Sequence, residues 1–376
     1  MVEEKLKEMR VMTDGSELMI ESLVRAGANA YVNYPITPSN WLNSFASKRF
    51  PFFMPAPDEI TTLQWLCGMA TAGKLPVTAT SFPGYALMVE TMNEVYMMEL
   101  PMVVILVQRL GPSTGSATVG AEGDLLVLNG TISGGFQFPV FSISSFEDCW
   151  NIPPKALKTA VELRTPVVIL TSKEMIMTSR SFDLSSLPEI EPIVWKQFTG
   201  EAPYKPYKPA DNLIPEFLPV GNTDHQVRIN SSTHDHLGMI KKATPEAIAN
   251  SLRLQQKMEK HIDSYSYYSF DENSEASTLV VTYGITSEAC REAVSRSRKT
   301  GKEVSLLVLN TMIPLPKFIT ETMNNYRNVI VVEENMSGNL VRYIYGVNTP
   351  ANIHKINAFG RMITPSEIIK EIASCK

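Results

Sequence analysis

Residues 103–107 (VVILV) and 167–171 (VVILT) are unbroken runs of β-branched residues and leucine. A strand with one wet face alternates apolar with polar side chains. An unbroken run marks a strand covered on both faces, as in a parallel sheet with helices above and below it. Helical signals separate the strands. Residues 17–25 form an amphipathic stretch that Ser16 can cap and Gly27 ends. Residues 58–72 place Leu63, Leu66, Cys67 and Ala70 on one face and stop at Gly73. Residues 85–99 read as a methionine-rich helix, and shorter strands are predicted at 30–34 and 77–81. Alternating strands and helices predict an α/β fold, a doubly wound parallel sheet, over residues 1–182.

The pattern changes at 183–275. Five prolines fall within 203–219, too many for regular structure, so this part is predicted to be an extended, proline-rich connecting arm with a helix at 251–261. Residues 276–376 predict a second, smaller open α/β domain, with strands at 279–283, 304–309 and 329–333 and helices at 287–298, 317–325 and 363–374. A chain of 376 residues is long enough for two or three domains.

Composition excludes several classes of function. The formal net charge is −5 and no Lys/Arg run could track phosphates, so nucleic acid is not an expected partner. No apolar run reaches bilayer length, and the opening MVEEKLKEMR lacks the apolar stretch of a secretory leader; a cytoplasmic location is expected. A charged fraction of 19% is low, and the 19 methionines add pliable apolar surface; both point to a subunit partly covered by other chains. Cys67, Cys149, Cys290 and Cys375 form no CxxC pair, so they read as reduced thiols and not as ligands of zinc or an iron–sulfur cluster.

Two motifs are decoys. Residues 68–74 (GMATAGK) match most of a phosphate-binding loop, but Leu75 stands where Ser or Thr would hold magnesium. The segment also ends a helix instead of opening one. His234 and His236 flank Asp235 without a third ligand candidate nearby, which favours local hydrogen bonds over a metal.

Three other segments point to an acidic small-molecule site. Residues 34–39 (YPITPS) follow a strand, where α/β folds place ligands, and present the Thr37 hydroxyl and the start of the next helix. Residues 57–59 (PDE) open a long helix; Glu59 there is either a first-turn charge or a functional carboxylate. Residues 108–115 (QRLGPSTG) follow a buried strand, and Arg109 can clamp a carboxylate through two parallel hydrogen bonds.

With ATSFPGYALM (79–88), EGDL (122–125), STHDHLG (232–238), NTMIPLP (310–316) and EENMSGNL (333–340), these segments resemble the alpha subunit of 2-oxoacid:ferredoxin oxidoreductases. The resemblance runs through nearly the whole chain. It implies a pyrimidine-binding-type first domain for thiamine diphosphate and oxidative decarboxylation of a 2-oxoacid to an acyl-CoA, with electrons passing to ferredoxin. Glu59 would be the catalytic residue, hydrogen-bonded to the cofactor's aminopyrimidine. Thr37 and Arg109 would hold the substrate 1-carboxylate, and Pro35, Ile36 and Ser81 would line the cofactor.

The thiamine GDG…N segment is missing, since only Gly123-Asp124-Leu125 is present. The resemblance therefore implies a beta subunit that supplies Mg2+, the diphosphate site and a [4Fe-4S] cluster. A gamma subunit, where one exists, would be a separate chain. Phe82, Glu122 and residues 133–135 depart from the family pattern near the expected substrate pocket. Among substrates 2-oxoglutarate ranks slightly above branched-chain 2-oxoacids and pyruvate. The competing readings are a subunit of another 2-oxoacid-using thiamine enzyme, of indolepyruvate or branched-chain type, a non-catalytic regulatory paralogue, and a nucleotide-binding module.

Overall fold

The computed structural model describes residues 10–375; residues 1–9 of the charged opening segment, on which the expectation about a leader falls, lie outside them. The first part of the chain runs β1 (Arg10–Thr13), α1 (Gly15–Arg25), β2 (Ala30–Asn33), α2 (Asn40–Arg49), β3 (Phe52–Pro55), α3 (Glu59–Thr71), β4 (Pro76–Thr80), α4 (Phe82–Met98) and β5 (Met102–Gln108). It continues through α5 (Leu125–Asn129), β6 (Val140–Ser142), α6 (Asp148–Leu163), β7 (Pro166–Ser172), α7 (Lys173–Met177) and β8 (Arg180–Asp183). After the arm come α8 (Pro245–Lys260), β9 (Tyr268–Asp271), β10 (Thr278–Tyr283), α9 (Thr286–Lys299), β11 (Val304–Leu309) and β12 (Thr311–Ile313). The chain closes with α10 (Lys317–Asn324), β13 (Asn328–Glu333), α11 (Asn339–Tyr345), β14 (Ile353–Asn357) and α12 (Pro365–Ser374).

A seven-stranded sheet has the order β12-β6-β7-β5-β4-β2-β3. All its pairings are parallel except β12 with β6. Every residue of β5 and β7 is buried, as two covered faces require. Successive side chains leave opposite faces of a strand. Thus Val103, Ile105 and Val107 enter a core with Leu18, Leu23 and Leu42 of α1 and α2, together with Leu157 of α6. Val104 and Leu106 enter the other core, with Leu63, Leu66, Tyr85 and Met92 of α3 and α4. Helices on both faces make the sheet doubly wound.

The second sheet has five strands in the order β14-β13-β10-β11-β9, parallel except for β9. One of its faces (Leu279, Val281, Leu307, Val329) joins the core of α3 and α4. The other (Val280, Leu306, Ile330) packs on α9 and α12. The two α/β units therefore share one core, and β12 extends the first sheet with residues from the far end of the chain.

The arm has no regular structure between the short helical turn Leu184–Ser186 and α8, in keeping with its prolines. It is held by a buried charge cluster. Arg164 Nη1 donates to the carbonyls of Pro206, Pro215 and Glu216 at 3.1, 3.2 and 2.9 Å. Glu99, fully buried at the end of α4, accepts from Arg253 and from Lys257 Nζ at 2.7 Å, both on α8. No helix among the described residues is long and apolar enough to cross a membrane.

Two local expectations differ from the structure. Asp14, not Ser16, caps α1: its Oδ1 accepts from Glu17 N at 3.0 Å, and Ser16 lies inside the helix, donating back to Asp14 at 2.6 Å. The helix expected at 251–261 begins at Pro245, with Thr244 as its cap.

Candidate active site

Strands β5, β4, β2 and β3 are neighbours and run parallel, so the loops leaving their C-terminal ends gather at one edge of the sheet. The chain passes from β2 outward to β3 and then returns to β4 on the other side of β2. Such a reversal opens a crevice, the usual ligand position in open α/β sheets. The loops leaving β2, β3, β4 and β5 carry Thr37, Glu59, Ser81 and Arg109 in turn.

Arg109 is buried, and its Nη1 donates to the Thr37 carbonyl at 2.6 Å. The two residues predicted to hold one carboxylate are thus in direct contact, although through the Thr37 backbone. The Thr37 hydroxyl makes no hydrogen bond within the described residues. Ser39 Oγ donates to Ile36 O at 2.7 Å and tightens the turn. Ile36 is half-buried, whereas Tyr34 and Pro35 are exposed.

Glu59 opens α3 but does not cap it. Asp58 does: its Oδ1 accepts from Thr61 N at 2.7 Å. That leaves the carboxylate of Glu59, a residue only 7% exposed, with no hydrogen-bond partner among the described residues. Gly84 on α4 packs directly on it. A Cβ at position 84 would lie 2.7 Å from Glu59 Oε1 and 2.3 Å from Thr80 Oγ1. Ser81, at the N-cap of α4, is buried with its hydroxyl unpartnered. A carboxylate packed on a glycine and free of protein partners, with an unsatisfied hydroxyl at the start of the glycine's helix, fits the edge of a hydrogen-bonding heteroaromatic ring.

Beside this edge lies a cavity of about 280 Å³ between the two α/β units, lined by Phe82, Arg109, Ser113 and Asp124 from one and by Glu334 and Asn339 from the other, among others. Glu59 does not line it. Burial pushes the Asp124 carboxyl up to about 7, against the pull of Arg109. Burial likewise pushes Glu334 up to about 7. In the sequence Asp124 and Glu334 stand out only as parts of longer motifs, EGDL and EENMSGNL. The available signal was an acid inside each of two glycine-containing loops at strand ends.

Glu122, one of the departures, is fully buried and joins the units. Its Oε2 accepts from Thr286 Oγ1 at 2.8 Å and from Glu334 N at 3.1 Å. Burial, reinforced by the Glu334 charge, pushes it up to about 8. Gly284 leaves room for this carboxylate, because a Cβ there would lie 2.1 Å from Glu122 Oε1. Of the other departures, Phe82 lines the cavity, whereas residues 133–135 do not.

The decoys behave as structural parts. His234 is buried, packed at a tilt against Tyr207 at 3.8 Å between ring centroids and bonded to Ser232 O at 2.6 Å. Gly68 lies within α3 and Gly73 just past its end, with a φ of +84°. His354, Glu371 and Cys375 bring potential metal ligands within 4.8 Å of one another, but His354 and Glu371 already share a 3.0 Å hydrogen bond.

Residues 21–253 match the family described as pyruvate flavodoxin/ferredoxin oxidoreductase, thiamine diphosphate-binding. Residues 276–368 match pyruvate:ferredoxin oxidoreductase core domain II. The 2-oxoglutarate synthase subunit KorA of Methanocaldococcus jannaschii is 28% identical over 86% of this chain and 87% of its own length. The protein of the same name from Methanothermobacter marburgensis is 28% identical over 96% of this chain and 98% of its own. Among solved structures, 2-oxoglutarate:ferredoxin oxidoreductase from Magnetococcus marinus, with 2-oxoglutarate, coenzyme A and succinyl-CoA bound, superposes with a TM-score of 0.89 at 24% identity. That match covers 97% of this chain, which spans 65% of the other.

Proposed function

The chain belongs to the pyruvate flavodoxin/ferredoxin oxidoreductase family, and on that premise we propose that it is the alpha subunit of an enzyme that oxidatively decarboxylates 2-oxoglutarate to an acyl-CoA, with electrons passing to ferredoxin. The observation that carries this reading is the placement of Arg109, Thr37 and Glu59 beyond the C-terminal ends of parallel strands at one edge of a single sheet, with Arg109 bonded to Thr37. The likeness to the two 2-oxoglutarate synthase subunits supports the substrate.

Thiamine diphosphate supplies the electron sink for the carbon–carbon cleavage. Glu59 holds a proton partner at the aminopyrimidine edge, and its lack of a protein partner leaves the carboxylate oxygens available for that bond. Pro35, Ile36 and Ser81 complete the contact surface around the cofactor. Arg109, fixed by the Thr37 carbonyl, keeps its charge at every working pH and orients the substrate 1-carboxylate. Thr37 adds its hydroxyl.

The remaining parts belong to a partner. A beta subunit supplies Mg2+, the diphosphate site and the [4Fe-4S] cluster, because the four cysteines here are dispersed and two of them, Cys149 and Cys290, are buried. Exposed Tyr34, Trp41, Ile60, Trp65 and Leu87 sit on the loop and helices around the Glu59 edge, apolar surface suited to being covered by that subunit. The division into 1–182, 183–275 and 276–376, a cytoplasmic location and a separate gamma subunit are part of the same reading.

A branched-chain 2-oxoacid is the second reading. It is favoured by the apolar wall of Phe82, Met336 and Phe359 and by Arg109 being the only cation among the described residues that line the cavity. Co-purification with the partner and a panel of 2-oxoacids assayed for coenzyme-A-dependent dye reduction separates the two. The isolated chain should be inactive. In the complex, Arg109→Ala should lower kcat/KM by about 10- to 100-fold, the cost of one charge-assisted hydrogen bond of ~1.5–3 kcal/mol. Full activity in that variant would mean that the carboxylate is held elsewhere.

A further inference from the structure

An aspartate at a helix N-cap ordinarily accepts a hydrogen bond from the first amides of the helix. Asp124, at the N-cap of α5, makes no such bond. It is only 7% exposed, and its Oδ2 is buried without a partner. Its backbone is fixed from both sides: Asp124 N donates to Gln108 Oε1 at 3.1 Å, and Asn339 Nδ2 donates to Gly123 O at 2.9 Å. The carboxyl therefore cannot swing out to solvent by a loop movement without breaking both bonds. It shares the cavity with Arg109, whose Nη1 is committed to Thr37 and whose Nε is buried without a partner.

We propose that Asp124 takes up one proton when a 2-oxoacid binds at Arg109 in the cavity the two residues share. This rests on the reading that Arg109 holds the substrate 1-carboxylate. An ionised Asp124 neutralises the guanidinium and repels an incoming carboxylate. A protonated Asp124 leaves the guanidinium charge to the substrate and offers an O–H donor in the same cavity.

The surroundings favour the proton on substrate binding. Burial pushes Asp124 up to about 7 even with Arg109 beside it, so both forms are populated near neutrality. The other titratable groups facing it are acids. Glu334 lines the cavity from the end of β13, Glu122 lies two residues back on the same loop, and Tyr283 of β10 donates to Glu122 O at 3.2 Å. Arg109 is the only cation among the lining residues. A substrate that engages Arg109 removes the one influence holding Asp124 ionised.

By linkage, binding with uptake of one proton makes KM rise by up to roughly tenfold per pH unit above the Asp124 midpoint. The test is KM and kcat for 2-oxoglutarate from pH 6 to 8.5 in the assembled enzyme. The wild type should show that rise, Asp124→Asn should hold KM low and nearly flat, and Glu334→Gln should keep the rise. A flat wild-type KM, an Asp124→Asn variant with the wild-type slope, or a Glu334→Gln variant that loses it would each overturn the proposal.

Should Asp124→Asn fail to assemble, calorimetry on the wild type, Glu334→Gln and Glu122→Gln decides. The probe is 2-hydroxyglutarate, titrated at pH 8 in two buffers of different ionisation enthalpy. Uptake of about one proton by all three supports the proposal; no uptake by the wild type, or uptake lost in either variant, overturns it. An Arg109→Ala variant with unchanged KM would instead remove the clamp itself, a failure distinct from that of Asp124.

Discussion

Replacing Gly84 by alanine tests how Glu59 is held. The new Cβ would lie 2.7 Å from Glu59 Oε1 and from Glu59 Cγ, and 2.3 Å from Thr80 Oγ1. Ordinary contact needs about 3.5 Å, so the Glu59 side chain must retreat by roughly 0.8 Å. Thr80 is held on one side, where it pairs with Leu106 of β5, which limits a backbone shift. Helix propensity alone would favour alanine over glycine by about 1 kcal/mol, so any loss reports the clash. Overpacking of this kind costs about 1–3 kcal/mol of stability. A misplacement near 1 Å in a reacting constellation costs about 100-fold in rate. The assay is kcat of the assembled enzyme with 2-oxoglutarate, coenzyme A and an electron-accepting dye, beside thermal unfolding of each variant. Gly68→Ala is the control. It lies on the same helix as Glu59, nothing stands within 4 Å of its added Cβ, and it should keep full turnover. Gly84→Ala turning over at the rate of Gly68→Ala would refute the claim that this contact sets the carboxylate.

Two further predictions concern how the units hold together. Burial and the Glu334 charge raise Glu122 from 4.5 to about 8, so its contribution to stability is full below about pH 4.5 and is lost as pH rises through 8. Glu122→Gln keeps the shape without the charge; between pH 6 and 8.5 its unfolding free energy should fall less than the wild type's, by on the order of 2 kcal/mol in denaturant titrations. Equal slopes would mean that Glu122 does not titrate in this range. Glu99→Gln leaves Arg253 and Lys257 without their buried counter-charge and should cost about 3–5 kcal/mol in the same measurement, with loosening of the arm detectable as faster proteolysis between 203 and 219. A loss under 1 kcal/mol would mean that the cluster relaxes into water.

The runs at β5 and β7 made the central strands legible, since two covered faces leave no polar position to disguise them. Elements with weaker local signals went unread. β3 is a partly exposed edge strand ending in Pro55, β6 is three residues long beside Pro139, and α6 contains Pro153 and Pro154. Strand β12 could not be foreseen as part of the first sheet, because its partner β6 lies some 170 residues earlier and only the packing of the two units brings them together. The family resemblance rested on ordered motifs in both halves of the chain, and both family matches fall on those halves.

The site was legible in its parts but not in its arrangement. Thr37 and Arg109 stand at strand ends that the alternation located, and Glu59 at the start of a helix that it located. The contact of Arg109 with the Thr37 carbonyl depends on strand order, which periodicity does not encode. The same holds for Asp124 and Glu334, which meet in one cavity only once the second unit is docked.

Glu59 is the residue on which the rest of the account turns. Glu59→Gln preserves volume against Gly84 and removes only the carboxylate's ability to exchange a proton. The assembled complex should bind thiamine diphosphate and sediment as the wild type does, while turnover falls by about 10²–10⁴-fold, the usual contribution of a positioned acid–base group. Turnover at the wild-type rate in that variant would contradict the account directly.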